Sequence, residues 1–379
     1  MQQAQQHGNL KTLLHALDPN LARVFLPFAM RHPSKFLAYG RLAHAYTKSE
    51  QIRQRESRDG LVVPPFLILS ITASCNLKCI GCYATAVGTV RSRESGNDCH
   101  GKNLDFEQWH HVIQQARDLG VFGFILAGGE PFLFPRLLNM CAEFPDRIFI
   151  IFTNGTALKE EDFSRFRRLP NVVVIVSIEG NQDVTDQRRG AGVYEKIINT
   201  IKRLHGLNVL SGISVTITRN NYKYWMNSSS IDALLADGIH LGFFIEYIPA
   251  DHVPGELNVL SNTERADFRA KMLDYRATKP IYIIHSPGDE ELLGGCVSAG
   301  RGFAHVTPSG DLTPCPVSNI TTHNLTLVSL RAGLESPLFQ QIRESEHILE
   351  TGGTPCALFA HPDEVAMLMK KVGAHRTNT

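Results

Sequence analysis

The sequence has little net charge, no long apolar run and no recognisable export signal. Its 38 Lys and Arg residues nearly balance 37 Asp and Glu residues, for a formal charge of +1. It therefore offers no global attraction to nucleic acid, and no nucleic-acid partner is predicted. No stretch reaches the roughly 18 apolar residues of a membrane-spanning helix. The opening MQQAQQHGN lacks the basic start and apolar run of a secretory signal. These absences predict a cytoplasmic globular protein.

Cysteine is scarce but clustered. Only eight cysteines occur in 379 residues, and Cys75, Cys79 and Cys82 form a C-x3-C-x2-C triplet. Three thiolates in one loop can hold three corners of a cubane iron–sulfur cluster and leave the fourth iron open. A closed zinc site normally needs four protein ligands. Three incidental buried thiols are the weaker alternative, because thiols in a reducing compartment more often bind metal or react. The triplet therefore predicts an iron–sulfur site.

From residue 61 onward, short apolar runs alternate with amphipathic stretches. Continuous apolar strands, each followed by a helix, indicate a parallel sheet covered by helices, either an incomplete (β/α) barrel or a doubly wound sheet. In both, the ligand site lies at the carboxyl ends of the strands. The predicted strands are residues 66–72, 122–127, 147–152, 172–178, 212–218 and 242–248. The predicted helices lie near 105–119, 134–143, 159–168, 193–205, 229–237 and 262–277.

Several strand ends carry motifs besides the cysteine loop. Each motif is a weak signal alone, but their order along the chain is specific. They are Gly128-Gly129-Glu130-Pro131, Thr153-Asn154-Gly155, Ser177-Ile178-Glu179-Gly180 and Asp186-Gln187-Arg188-Arg189. Together with the cysteine triplet they resemble the radical S-adenosylmethionine (SAM) superfamily over roughly residues 61–250, with the glycine-rich motif similar to that family's GGEP sequence.

The resemblance implies a fold, two cofactors and a set of contacts. The fold is α/β, a partial (β/α)6 TIM-like barrel, and the cysteine triplet holds a catalytic 4Fe–4S cluster that binds SAM. The position before the third cysteine, often aromatic in the family, is Gly81, so Tyr83 is expected against the adenine instead. Glu179 stands where the family commonly has Asp, and no role is predicted for it. The predicted SAM contacts are Tyr83, Gly128, Gly129, Glu130, Pro131, Asn154, Ser177 and Arg189.

The segment 251–379 resembles the SPASM or twitch extension of many radical SAM enzymes. Cys296 is followed after thirteen residues by Gly310 and after four more by Cys315, with a predicted hairpin turn between them. Of the later cysteines only Cys356 remains. The resemblance predicts one auxiliary iron–sulfur cluster on these three cysteines, in a small hairpin and helix extension. The alternative is a lost cluster whose thiols pack in the hairpin core.

Residues 1–60 form a predicted N-terminal helical segment before the core domain of residues 61–250. They hold nine basic and four acidic residues, an excess of +5, and apolar positions at helical spacing from Leu10 onward. Pro27 and Pro33 should divide the segment into short helices. A basic amphipathic segment can lie on an anionic membrane. A cap packed on the barrel is favoured, because apolar stripes usually face cores.

The implied function is enzymatic. A reduced cluster would cleave SAM to methionine and a 5′-deoxyadenosyl radical, which removes hydrogen from a substrate, with a net oxidation or bond formation assisted by the auxiliary cluster. The electron would come from a partner such as a ferredoxin or flavodoxin. The substrate stays open between a peptide side chain and a small apolar metabolite such as a lipid or tetrapyrrole. The alternative is a non-catalytic iron–sulfur electron carrier or assembly partner, for which intact SAM motifs would have no purpose.

Overall fold

The computed structural model describes residues 24, 28–30, 33–90, 103–249, 258–351 and 353–377. Cys99, which on sequence could be a fourth auxiliary ligand, a reactive thiol or a residue without function, lies outside these residues, as do the predicted apolar positions before Val24. The strands are β1 (Phe66–Thr72), β2 (Gly123–Gly128), β3 (Ile148–Thr153), β4 (Val172–Ser177), β5 (Ser211–Ile217), β6 (Leu241–Glu246), β7 (Tyr282–Ser286), β8 (Phe303–Val306), β9 (Asp311–Thr313), β10 (Ile320–Thr321), β11 (His323–Asn324) and β12 (His375–Arg376). Ten of them form one sheet in the order β11-β9-β8-β1-β2-β3-β4-β5-β6-β7, while β10 pairs with β12.

The sheet curls around its own apolar side chains. Consecutive residues of β4 point to opposite faces, since Val174 belongs to the main core and Ile175 to a second apolar cluster. In that second cluster, the rings of Phe152 on β3 and Phe243 on β6 lie 5.0 Å apart between centroids. Three strand steps in a flat sheet would separate them by about 14 Å. The predicted partial barrel is therefore confirmed, and burial on both faces explains the continuous apolar runs.

The helices lie around the barrel and in the C-terminal extension. They are α1 (Phe36–Arg58), α2 (Tyr83–Ala86), α3 (Phe106–Asp118), α4 (Leu137–Glu143), α5 (Glu160–Phe166), α6 (Gln182–Arg189), α7 (Val193–Gly206), α8 (Tyr222–Met226), α9 (Ser228–Ala236), α10 (Asn262–Thr278), α11 (Leu330–Leu334), α12 (Pro337–Glu344), α13 (Glu346–Leu349), α14 (Ala357–Ala360) and α15 (Pro362–Val372). Side-chain caps decide where the barrel helices begin: Asp105 accepts a hydrogen bond from the Gln108 N–H at 2.9 Å and receives the reciprocal bond of a capping box.

The structure has two parallel strands in addition to the six that the sequence predicted. β7 pairs with β6, and β8 pairs with β1 with Phe303 opposite Phe66. β8 turns at once into β9 through Gly310, whose φ of 93° favours glycine and whose N–H donates to the Thr307 carbonyl at 3.0 Å. β8 was not predicted as a barrel strand because it leads into a hairpin rather than a helix, and its sequence therefore lacks the pattern of an apolar strand followed by a helix. The predicted hairpin is thereby joined to the strand that carries the cysteine loop.

The N-terminal segment packs at the amino ends of the barrel strands. Val24 is buried in the apolar cluster inside the barrel. The Lys35 ammonium donates to the Asn208 carbonyl at 3.1 Å, and the Arg53 guanidinium donates to the Gly120 carbonyl at 2.6 Å. These contacts support the cap hypothesis for the described part. After Pro33, however, α1 runs for 23 residues, one long helix rather than short ones, because no proline follows within it. No helix of the described residues has the length and apolarity to cross a membrane.

Candidate active site

The cysteine loop follows β1 at the carboxyl edge of the barrel. Cys75, Cys79 and Cys82 are partly exposed. Burial, together with the nearby charges of Glu130 and the other two thiols, raises the pKa of Cys75 to about 11. Burial also raises the pKa of Cys79, against the opposing effect of Arg189. Three thiols so close to one another are costly as thiolates unless a cation joins them. This donor set fits a thiolate-bound iron cluster.

The glycine-rich motif after β2 fastens itself to the cysteine loop. The Gly129 N–H donates to the Thr72 carbonyl and the Glu130 N–H to the Ser74 carbonyl, both at 2.8 Å. A Cβ at Gly129 would overlap the Ser74 carbonyl oxygen, and Gly128 has a φ of 118°. Only glycines allow this backbone contact. Pro131 is buried and begins a short 3-10 helix.

Glu130 ties the ends of β2 and β3 together. Its fully buried carboxylate accepts hydrogen bonds from the Thr153 hydroxyl at 2.7 Å, the Asn154 N–H at 2.8 Å and the Phe132 N–H at 3.1 Å. Burial nevertheless raises its pKa to about 7. The Asn154 amide in turn donates to the Asn76 side chain at 2.8 Å, inside the cysteine loop. Two of the predicted site residues thus connect three neighbouring strand ends.

Glu179, for which the sequence predicted no role, organises the next strand end. Its carboxylate is fully buried and accepts from both Arg188 and Arg189; the Arg189 Nε and Nη2 lie 2.9 and 2.6 Å from Oε1. Arg188 also donates to the Ile80 carbonyl at 3.1 Å, which ties α6 to the cysteine loop. Ser177 lies half-buried at the end of β4. The sequence did contain a signal for this role of Glu179: an acid directly after an apolar strand, with two adjacent arginines nine and ten residues later.

Two tyrosines flank the cysteine loop. Tyr83 begins α2, and burial together with the charges of Cys82 and Cys315 raises the pKa of its hydroxyl. Tyr83 therefore lies between the triplet and the first hairpin of the C-terminal extension. Tyr247, which the sequence reading missed, follows β6, and its ring fills the space beside Gly81. Its buried hydroxyl has no hydrogen-bond partner among the described residues.

The three C-terminal cysteines come from separate segments and are all buried. Cys296 precedes β8, Cys315 follows β9 and Cys356 precedes α14. Burial raises the pKa of all three thiols, and Cys315 and Cys356 each raise that of Cys296 further. The structure thus brings together residues separated by up to 60 positions of sequence. As thiolates they need a cationic partner, and this donor set fits a second iron–sulfur cluster.

Comparison with known proteins agrees with this geometry. The family profile described as the Radical SAM superfamily matches residues 69–227, which run from β1 through α8 and include the cysteine loop and every strand end described above up to β5. Residues 69–227 are thus a radical SAM domain, similar to the superfamily whose enzymes use a 4Fe–4S cluster and SAM.

Several named relatives extend the match beyond the core. The sporulation killing factor maturation protein SkfB of Bacillus subtilis is 31% identical over 42% of this chain, a region that spans only 37% of that relative. The AdoMet-dependent heme synthase of Methanosarcina barkeri is 24% identical over 75% of the chain and 86% of the relative. Among solved structures, Streptococcus suis SuiB bound to precursor peptide SuiA has a TM-score of 0.63 at 16% identity, covering 78% of this chain and 70% of SuiB, and supports the fold.

Proposed function

We propose that the chain cleaves SAM reductively and uses the resulting radical to modify a side chain of a precursor peptide. The observation that carries the first part is the cysteine loop, three partly exposed thiols beside Arg189 at the carboxyl edge of the barrel. The peptide substrate is supported by relatives named as maturation proteins, SkfB and the mycofactocin maturase MftC of Mycobacterium ulcerans, the latter matching 76% of this chain at 27% identity.

The residues of the chain would bind and orient SAM. Cys75, Cys79 and Cys82 would hold three irons, and the cluster, when bound, supplies the electron that breaks the sulfonium bond. Arg189 would meet the methionine carboxylate, since its guanidinium has N–H donors beyond the Nε and Nη2 that bond Glu179. The backbone from Gly128 to Pro131 would accept hydrogen bonds from the amino group, with Asn154 and Ser177 near the ribose and Tyr83 near the adenine. A ferredoxin or flavodoxin is the expected electron donor.

A tetrapyrrole is the second candidate substrate. The match to this chain spans 86% of the length of the heme synthase, against 79% of the length of the Mycobacterium ulcerans MftC. An auxiliary cluster would serve either substrate by accepting an electron, which makes the outcome a net oxidation or bond formation.

SAM cleavage can be tested without any substrate. Protein reconstituted with iron and sulfide under anaerobic conditions, reduced with dithionite and given SAM should release 5′-deoxyadenosine, measured by chromatography. It should bind about eight irons, the content of two cubanes. Changing Cys75, Cys79 and Cys82 together to Ala should halve the iron and abolish cleavage. Release of 5′-deoxyadenosine by this variant would contradict the assignment of the catalytic cluster.

The substrate class needs a separate experiment. Short peptides encoded beside the gene, and Fe-coproporphyrin III as the tetrapyrrole probe, are incubated with the active enzyme and SAM. A mass change in one peptide, with 5′-deoxyadenosine formed in proportion, would support the peptide proposal. Turnover of the porphyrin with unchanged peptides would replace it with the second candidate.

A further inference from the structure

Three cysteines leave one iron of an auxiliary cubane without a protein ligand. A 4Fe–4S cluster normally takes four thiolates, and only Cys296, Cys315 and Cys356 meet in the described part of the extension. Cys141 is a residue of α4 and is buried in the main apolar core, and the triplet belongs to the other site. Any fourth ligand within the described residues therefore has to be a different kind of side chain.

Glu290 lies against this group of thiols. It begins a short 3-10 helix, Glu290–Leu293, six residues before Cys296. The Glu290 carboxylate receives a hydrogen bond from the Ser286 hydroxyl at 2.7 Å, and it also bonds the Cys296 thiol and the Val297 N–H. Its charge acts on Cys315 and Cys356 as well. The Glu290 carboxylate thus interacts electrostatically with all three thiols.

The backbone holds this arrangement in place. Gly295 has a φ of 102°, a conformation that favours glycine, and its N–H donates to the Glu290 carbonyl at 3.0 Å. A Cβ at Gly295 would overlap the Leu349 carbonyl oxygen. The next residue, Cys296, donates its N–H to that same oxygen at 2.8 Å. The turn therefore brings Glu290 and Cys296 against the segment that leads to Cys356.

We propose that Glu290 is the fourth ligand of the auxiliary cluster, through a carboxylate oxygen, with Cys296, Cys315 and Cys356 as the other three. A carboxylate buried among three thiolates is costly in free energy, because like charges that are withdrawn from water repel one another. Iron removes that cost, and binding releases the acidic protons to solvent. This inference rests on the auxiliary cluster of the proposed function.

A carboxylate ligand has a consequence for the cluster. It donates less electron density to iron than a thiolate does, and replacing thiolates by weaker donors raises the reduction potential of iron–sulfur centres. A Glu-ligated cluster therefore accepts an electron from a substrate radical more readily than one held by four cysteines. It also fills the iron that would otherwise be open to the substrate.

The test uses the full chain with Cys75, Cys79 and Cys82 changed to Ala, so that any iron belongs to the auxiliary site. Into it we introduce Glu290→Gln, which keeps the size of the side chain but removes its charge, and Glu290→Cys, which supplies a thiolate. Glu291→Gln, at the exposed neighbouring acid, is the matched control. Iron content, the electron paramagnetic resonance spectrum and the midpoint potential are measured.

We expect about four irons in the protein that keeps Glu290 and in the Glu291→Gln control. Glu290→Gln should bind about three irons and give the spectrum of an oxidised three-iron cluster. Glu290→Cys should bind about four irons, with a lower midpoint potential. Four irons with unchanged spectrum and potential in Glu290→Gln would overturn the Glu290 assignment alone. No iron in the triple-Ala background would remove the auxiliary cluster and the inference together, while SAM cleavage by the unaltered chain would still stand. If Glu290→Gln fails to fold, Glu290→Cys still tests the proposal. A midpoint potential equal to that of the protein with Glu290 would contradict Glu290 as a ligand.

Discussion

Two buried glutamates show how single residues differ in electrostatic role. Glu130 accepts its hydrogen bonds from uncharged N–H and O–H donors, and burial outweighs these bonds and the charge of Arg189, so its pKa is raised to about 7. Burial pushes the pKa of Glu179 upward too, but the opposing charges of Arg188 and Arg189 outweigh it, so the pKa is lowered overall. Glu179 is therefore ionised at neutral pH and holds the arginine pair in place.

Changing Glu179 to Gln should destabilise the protein by about 3 kcal/mol at pH 7, because it leaves two largely buried guanidinium groups without their counter-charge. Since the folded-state pKa lies below the unfolded value, this loss is fully present above about pH 4.5 and shrinks as the pH falls through the folded pKa. Urea unfolding of the two proteins between pH 3 and pH 7 measures it.

The matched control is Glu335→Gln, which removes an exposed ion pair with Arg331 at 3.7 Å. It should cost under about 1 kcal/mol. Equal unfolding midpoints for the Glu179 variant and the unaltered protein at pH 7 would show that the arginines are held by other contacts.

Contacts between elements position the active site. The loop after β1 is fastened to the ends of β2, β3 and α6 by backbone and side-chain hydrogen bonds through Thr72, Asn76 and Ile80. Atoms of the protein itself form these tethers, so the loop is largely pre-organised, and cluster binding has less conformational entropy to offset.

Gly129→Ala should disrupt this pre-organisation, since the added Cβ meets the Ser74 carbonyl of the neighbouring loop, which is backbone and cannot rotate away. We expect the catalytic cluster to be lost or halved in occupancy, with SAM cleavage reduced at least tenfold, equivalent to about 1.4 kcal/mol. Iron analysis and 5′-deoxyadenosine release measure both effects.

Gly206→Ala is the control for that substitution. Gly206 ends α7, and a Cβ there meets nothing within 4 Å. This change should be neutral or stabilising by up to about 1 kcal/mol, with normal iron content. Normal cluster content in Gly129→Ala would mean that the two loops can separate without consequence.

At the scale of the whole molecule, the N-terminal segment and the active site lie at opposite ends of the barrel. α1 contacts the amino ends of the strands, where Tyr46 packs edge-on against Phe122 with centroids 5.3 Å apart, whereas the cysteine loop lies at the carboxyl ends. The segment therefore acts as a structural cap, away from the chemistry.

Deleting residues 1–60 should lower stability and solubility, because it uncovers the barrel surface around Phe122 and the cluster containing Val24. The full chain should not bind anionic vesicles at any salt concentration. If the +5 charge of this segment were an anchor, binding would appear at low salt and fade as the screening length falls from about 10 Å at 0.1 M to about 3 Å at 1 M. Salt-sensitive flotation, lost on deletion, would contradict the cap.

Apart from β7 and β8, which it did not predict, the sequence by itself determined the barrel strands, most of the helices between them and the cysteine triplet. These are local patterns: apolar runs long enough for a strand, helical spacing, and thiols a few residues apart, so neighbouring residues were sufficient to predict them. The N-terminal helix was the exception, since Pro33 led to a prediction of short helices where α1 is continuous.

Only the tertiary structure decided which side chains share a site. Phe152 meets Phe243 because the sheet curls, and Tyr247 fills the space beside Gly81. The charge of Glu290 acts on Cys356, 66 residues further along the chain. Such pairs depend on strand order and barrel curvature, which no local periodicity encodes. The roles of Glu179 and Glu290 follow from burial beside charges and thiols brought close by the fold, and an isolated Glu in a sequence carries no sign of that.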